Sequence, residues 1–287
     1  MSGTALTLVL AAALLHATWN LAAKGAGGSS RIAFIWLYVV ASAAIWVPVG
    51  LLWVAITRER PSWTWLGVAV VSAGLHIIYQ LVLQRGYAEG DLNLVYPLAR
   101  GTGPLLTFAV AVTLLGERPG AVAAAGVVAV ISGVLLISLG RSHGRPRAGA
   151  AWGIATGATI ASYTLWDNHA VTSLDVPPVP YFVLGILAQL PVLAVLLHHD
   201  RHTMPVGEVW RSARGSVLAV AICSPLAYIL VLRAMQLAPV GLVATGREAS
   251  IVVGALFGWL VLREPRPARR LVGAVVVLVG IGLLAVA

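Results

Sequence analysis

Apolar residues in this chain neither alternate nor keep to one helical face. They run on for about twenty positions at a time and stop at short polar clusters. A helix rising about 1.5 Å per residue crosses the roughly 30 Å of bilayer hydrocarbon in about twenty residues. Runs of that length predict membrane-spanning helices. Ten follow one another, near 3–24, 31–56, 63–87, 92–115, 120–140, 149–170, 178–198, 212–238, 240–262 and 267–286.

The interruptions are turn and charge signals: Gly27-Gly28-Ser29-Ser30, Arg58-Glu59-Arg60-Pro61, Gly116-Glu117-Arg118-Pro119, Arg145-Pro146-Arg147 and Arg263-Glu264-Pro265. The weakest separates the eighth and ninth runs, where only Leu237-Ala238-Pro239-Val240-Gly241 intervenes. About fifty apolar residues are too many for one span, so Pro239 and Gly241 predict a tight turn, with a re-entrant segment as the competing reading. Thr4 to Leu15 resembles the core of a signal peptide. No basic stretch precedes it and its apolar character continues to Ala23, which predicts a retained first helix.

Overlaying the halves at a shift of about 147 residues brings Trp19 onto Trp166, Arg100 onto Arg247, Glu117 onto Glu264, Gly126 onto Gly273 and Gly133 onto Gly280. At a shift of 149, Tyr79 to Leu83 falls on Tyr228 to Leu232. Matched Arg, Glu, Trp and Tyr positions identify a repeat, with units at 1–140 and 149–287. Five helices per unit is odd, so the second unit enters the membrane from the opposite side. The predicted fold is an all-α integral membrane protein, two inverted five-helix repeats.

His16-Ala17-Thr18-Trp19-Asn20 in the first run, Leu114-Leu115-Gly116-Glu117-Arg118-Pro119 after the fourth and Leu260-Val261-Leu262-Arg263-Glu264-Pro265 after the ninth resemble the EamA-like branch of the drug/metabolite transporter superfamily. The resemblance covers nearly the whole chain and rests on the paired order of the motifs. It implies a ten-helix carrier with a central cavity between its halves, moving metabolites, amino acids or drugs, commonly outward. It also implies a multi-pass protein of a prokaryotic plasma membrane.

Composition agrees: 59% of the residues are hydrophobic, 10% are charged and mean hydropathy is +0.91. The net charge of +9 sits mainly in loops, with no basic tail or aromatic-interleaved patch, which argues against nucleic acid as a partner. Apart from Arg100 and Arg247, thirteen basic residues fall on one face and four (Arg58, Arg60, Arg118 and Arg233) on the face carrying the termini. That imbalance favours termini outside the cytoplasm. Cys223 is the single cysteine, so neither an intramolecular disulfide nor a thiol metal site is available.

Arg100 and Arg247 are the informative charges. Each lies about 10–12 Å into its predicted helix, and an arginine at that depth costs at least about 2.5 kcal/mol unless it meets a cavity, a partner or an anion. Pro97, Gly101, Gly103 and Pro104 around Arg100 predict broken helix geometry there, with no neighbouring acid. Glu248 and Asp167 are candidate partners for Arg247. Two guanidiniums can fork-bond a carboxylate or phosphate, pointing to an anionic or zwitterionic solute.

His16, Trp19 and Asn20 on the first helix, Tyr79 and Gln80 on the third, and Tyr96 complete the candidate binding set. For the tryptophans an interfacial belt is the leading alternative. Asp167, Glu248 and His76 are candidate proton carriers. Glu117 and Glu264 read as interfacial salt bridges with Arg118 and Arg263, and the glycines of the fifth and tenth runs as packing residues.

An intramembrane enzyme would need a nucleophile with its base, and neither GxSxG nor HExxH is present. His198, His199, Asp200 and His202 share a short loop that reads as solvated rather than metal-binding. No catalytic residue, metal or cofactor is expected. A flippase for lipids or lipid-linked sugars, built on the same fold, is the main alternative to a metabolite carrier, whose partners would be a small solute, the bilayer and protons.

Overall fold

A computed structural model describes residues 1–25, 31–90, 92–138, 146–200, 204–260 and 268–287. Among these the regular elements are all helices: α1 (Gly3–Gly25), α2 (Arg31–Thr57), α3 (Trp63–Glu89), α4 (Leu92–Thr113), α5 (Ala121–Ser138), α6 (Pro146–Thr172), α7 (Pro178–His199), α8 (Val206–Met235), α9 (Val240–Gly246), α10 (Ala249–Leu260) and α11 (Ala268–Val286). They make ten spans, the ninth in two pieces. Glu264 and Arg263 lie outside the described residues.

Two boundaries differ from the sequence reading. α8 begins at Val206 rather than near 212, because its amphipathic first turns continue the span through a kink at Ala213 (φ −127°, ψ 17°). The ninth run is split where Glu248, Ser250 and Ile251 donate to carbonyls three residues back instead of four. Between α8 and α9 a short turn ends at Pro239, whose extended backbone (φ −51°, ψ 135°) opens α9. Five helices (α1, α2, α3, α7 and α8) are long and apolar enough to span a bilayer by composition alone, and α5 and α11 contain shorter apolar helices. α4 carries Arg100 and two prolines, and α6 is rich in Gly, Ala and Thr.

Packing follows the repeat. α1 lies on α8 as α6 lies on α3, α4 on α6 as the ninth span on α1, and α2 on α8 as α7 on α3. The pairs α5–α11, α2–α7 and α4–α9 each map onto themselves. The α5–α11 contact shows the two-fold relation atom by atom. A Cβ on Gly126 would sit 3.0 Å from the Gly280 carbonyl oxygen, and one on Gly133 would sit 2.7 Å from that of Gly273. Only glycine permits such an approach, and small residues are what bring membrane helices together where lipid gives no hydrophobic drive.

In α8, Pro225 cannot bond the carbonyl of Ala221 one turn back. α2 supplies the replacement: Trp46 Nε1 donates to that oxygen at 3.1 Å and Ser42 Oγ at 3.3 Å.

The largest buried core joins both halves near one face, the face of the termini. It takes Val9 from α1, Val68 from α3, Ala111 from α4, Val171 from α6, Tyr181 from α7, Leu232 from α8 and Val243 from α9. Gln236 at the end of α8 adds a tie, donating to the Val171 carbonyl at 2.9 Å. Toward the opposite face lies a smaller core, where α2 packs on α8 around Phe34 and Val217.

Candidate functional site

Inside the core formed by α1, α3, α4, α6, α8 and the ninth span lie two polar clusters. The first centres on Arg100. α4 runs unbroken through Pro97 and Pro104, so the expected distortion around Arg100 is absent. The break occurs instead at its repeat counterpart, Arg247. Arg100 Nη1 donates to Glu248 Oε1 at 3.2 Å, Nη2 lies 2.7 Å from His16 Nε2, and Nε reaches the Tyr96 hydroxyl at 3.4 Å. Since a guanidinium only donates, His16 Nε2 must be the bare ring nitrogen. The Tyr96 ring lies 5.6 Å from the guanidinium carbon.

Arg100 therefore does have an acid, one delivered from the other repeat, and the expectation of an unpaired Arg100 is corrected. Glu248 was expected beside Arg247. Neighbours on a helix point about 100° apart, so the two side chains diverge and Glu248 aims at Arg100. Arg247 is 6% exposed and Glu248 1%, and each keeps one buried atom without a hydrogen-bond partner, Arg247 Nε and Glu248 Oε2. An unpaired donor and an unpaired acceptor thus fall on consecutive residues at the helix break.

The second cluster centres on Asp167, fully buried near the end of α6. It accepts from the hydroxyls of Tyr181 on α7, at 2.5 Å, and Tyr228 on α8, and His76 Nε2 of α3 stands 4.0 Å away. Asp167 is therefore a partner of tyrosines and not of Arg247. His76 Nδ1 is held by the Ser72 carbonyl at 2.9 Å, and its ring stacks on Tyr163 at 4.2 Å between centroids. Tyr79 meets Tyr163 edge-on at 5.5 Å.

Other expected site residues are placed elsewhere. Asn20 is exposed and its amide donates to its own helix at the His16 carbonyl, 2.7 Å away, which occupies the group expected to face a solute. Gln80 is half-buried and makes no hydrogen bond among the described residues. Trp19 touches His16 edge-on at 4.9 Å and packs on the α2–α8 core, while Trp166 Nε1 donates to the Val68 carbonyl at 2.9 Å. Both tryptophans serve helix contacts rather than a belt.

Glu117 also departs from expectation. Instead of pairing with Arg118, its carboxylate accepts the first N–H groups of α9, from Val240 at 2.7 Å and Gly241 at 3.4 Å. An acid here satisfies orphan donors and meets the positive end of the helix that carries Arg247. Burial pushes its carboxyl above the ordinary 4.5, and the two N–H bonds oppose that shift.

Residues 147–286 match the EamA-like transporter family. A protein known from its crystal structure, 18% identical, superposes with a TM-score of 0.82 over 100% of this chain and 98% of its own. That likeness shows the fold. No curated protein matches the chain.

The chain belongs, over residues 147–286, to the EamA-like transporter family.

It is accordingly a multi-pass membrane transporter. In this transporter the sequence reading missed Tyr163 and Tyr181. Tyr163 was recoverable, because the shift of 147 that aligns Trp19 with Trp166 puts it on His16. Tyr181 opens a span like an interfacial tyrosine, and no pattern marks it as the partner of Asp167. Among the described residues no group of His, Cys, Asp and Glu could hold a metal ion.

Proposed function

We propose that the transporter is a secondary carrier, working as an exporter in the plasma membrane of a prokaryote, for a small zwitterionic or anionic solute such as an amino acid or organic acid. Its two five-helix units, 1–140 and 149–287, enclose the solute at the midplane. The observation that carries the reading is that two consecutive buried residues at the break in the ninth span each keep an unpartnered atom, Arg247 Nε and Glu248 Oε2. A carboxylate would meet the guanidinium, and an ammonium or hydroxyl would meet the free glutamate oxygen. With Glu248 and Asp167 set against Arg100 and Arg247, formal charges balance, so a zwitterion is favoured over a dianion. The same balance disfavours a lipid phosphate, and with it the flippase reading.

A thermal-shift screen of the purified protein in detergent tests this, using L-alanine, L-glutamate, succinate, inorganic phosphate and tetraphenylphosphonium as probes. A ligand of the native state raises the melting temperature. The expected result is stabilisation by the amino acids or succinate in wild type and its loss in Arg247→Ala and Arg100→Ala. Stabilisation by tetraphenylphosphonium alone, equal in all three proteins, overturns the reading and makes the arginines structural.

A further inference from the structure

The Asp167 cluster lies about 7.5 Å, five residues, from the end of α6 at the termini face and adjoins the core that joins both halves there. Every helix packed around the carboxylate presents a group to it. α3 gives His76, with Ser72 behind it, α7 gives Tyr181 and α8 gives Tyr228. Tyr163 comes from α6 itself, stacked on His76, and Arg247 of the ninth span lies within electrostatic reach of Tyr163 and Tyr228. No Lys or Arg forms a salt bridge with Asp167 among the described residues; the only nearby base is His76. One carboxylate thus hydrogen-bonds two helices, α7 and α8, to α6, with His76 of α3 standing 4.0 Å away.

The repeat makes the arrangement informative, because the other half has the same scaffold without the chemistry. At the shift of 147, Asp167 falls on Asn20 and Tyr181 on Phe34; at 149, His76 falls on Pro225. Asn20 is turned onto its own backbone, and Phe34 lacks the hydroxyl and packs in an apolar core. Among the described residues the tie therefore exists on one face only.

We propose that Asp167 is the latch of a gate at the termini face: its ionised carboxylate holds α7 and α8 to α6 while that face is closed, and uptake of a proton by the carboxylate releases them. The inference rests on reading the chain as a carrier that exposes its site to each face in turn. Hydrogen bonds to an ionised carboxylate are roughly twice as strong as neutral ones. A protonated acid keeps one donor and a weaker acceptor, so two tyrosine hydroxyls are no longer both well held. The proton binds one carboxylate oxygen on opening and leaves it on closing, with no other bond made or broken.

Hydrogen exchange of the full chain in nanodiscs, without added solute, tests the latch between about pH 8 and about pH 4. Rates are corrected for intrinsic exchange. In wild type, segments 173–181 and 236–243 at the termini face lose protection as pH falls, while 84–90 and 193–200 at the other face do not. Asp167→Asn removes the pH step and leaves the termini face unprotected throughout. Tyr228→Phe, which spares the carboxylate, lowers protection at every pH and keeps the step. If Asp167→Asn does not fold, Tyr181→Phe with Tyr228→Phe reads the latch in its place and is expected to open the termini face at high pH.

A pH step that survives in Asp167→Asn and disappears in His76→Gln overturns the proposal, as does equal protection in wild type at both ends of the range. Because no solute is present, this readout fails independently of the carrier reading, which fails instead if the thermal-shift probes bind only as tetraphenylphosphonium does.

Discussion

Arg100 and Glu248 meet at 3.2 Å from opposite repeats, and Glu248 stands where the repeat shift would put a counterpart of Gly101. The acid that compensates the first arginine is thus a departure from the two-fold pattern, carried on the half-turn that breaks the ninth span. The same departure leaves Arg247 and Glu248 each with an atom to spare.

Removing one partner of a buried pair strands the other, at a cost of about 3–5 kcal/mol when burial is complete. Arg100 is 12% exposed and Glu248 1%, so Glu248→Gln should fall toward the lower end of that range. Thermal unfolding in detergent measures it. The same variant should shift binding from zwitterions toward anions, because two guanidiniums then lack their adjacent acid.

Gly133 and Gly273 occupy one contact from its two sides. An added methyl meets a carbonyl oxygen at 2.7 Å in the first and 2.9 Å in the second, and overpacking of this kind costs about 1–3 kcal/mol. Gly133→Ala and Gly273→Ala should lower the melting temperature by similar amounts. Gly185→Ala, with nothing within 4 Å of the added atom, should not.

The Ala221 carbonyl provides a closed test of the backbone account. Losing both α2 donors, Ser42→Ala with Trp46→Phe, strands a buried acceptor at about 1–3 kcal/mol beyond the packing loss. Pro225→Ala lets residue 225 donate to that oxygen again and should recover part of the loss. A cycle in which Pro225→Ala gives the double variant no more than it gives wild type would falsify the assignment.

Glu117 couples the α4–α5 connection to the start of α9. Glu117→Ala removes the cap, a change worth about 1 kcal/mol, and should loosen solute binding at Arg247. Because burial raises the folded carboxyl above 4.5, the protonated form is the one the fold favours. That contribution is fully present below the ordinary value and is lost as pH rises through the raised one. Measured against Glu117→Gln, wild type should therefore lose relative melting temperature as pH rises through that window.

The spans were legible because hydrocarbon imposes a length and an all-round apolar surface, and the repeat because Arg, Trp and Tyr rarely recur by chance. The helix ends of α1 and α7 fall within a residue of the predicted ones. The wiring of the charges was less legible. Glu248 adjoins Arg247 in sequence yet serves Arg100, since contact follows helical phase and a local half-turn, neither of which composition encodes. Asn20 sits at the position equivalent to Asp167 but spends its amide on its own backbone, and a list of polar residues treats the two alike.

Gly126 on Gly280 and Gly133 on Gly273 are one interaction written twice, since exchanging the halves turns either pair into the other. A contact with that property keeps its geometry whichever half adopts which shape. In a carrier whose two states are made by such an exchange, it behaves as an axle. It can be packed to the limit of backbone approach without favouring either state, whereas contacts such as α4 on α6 must give way to their counterparts across the molecule.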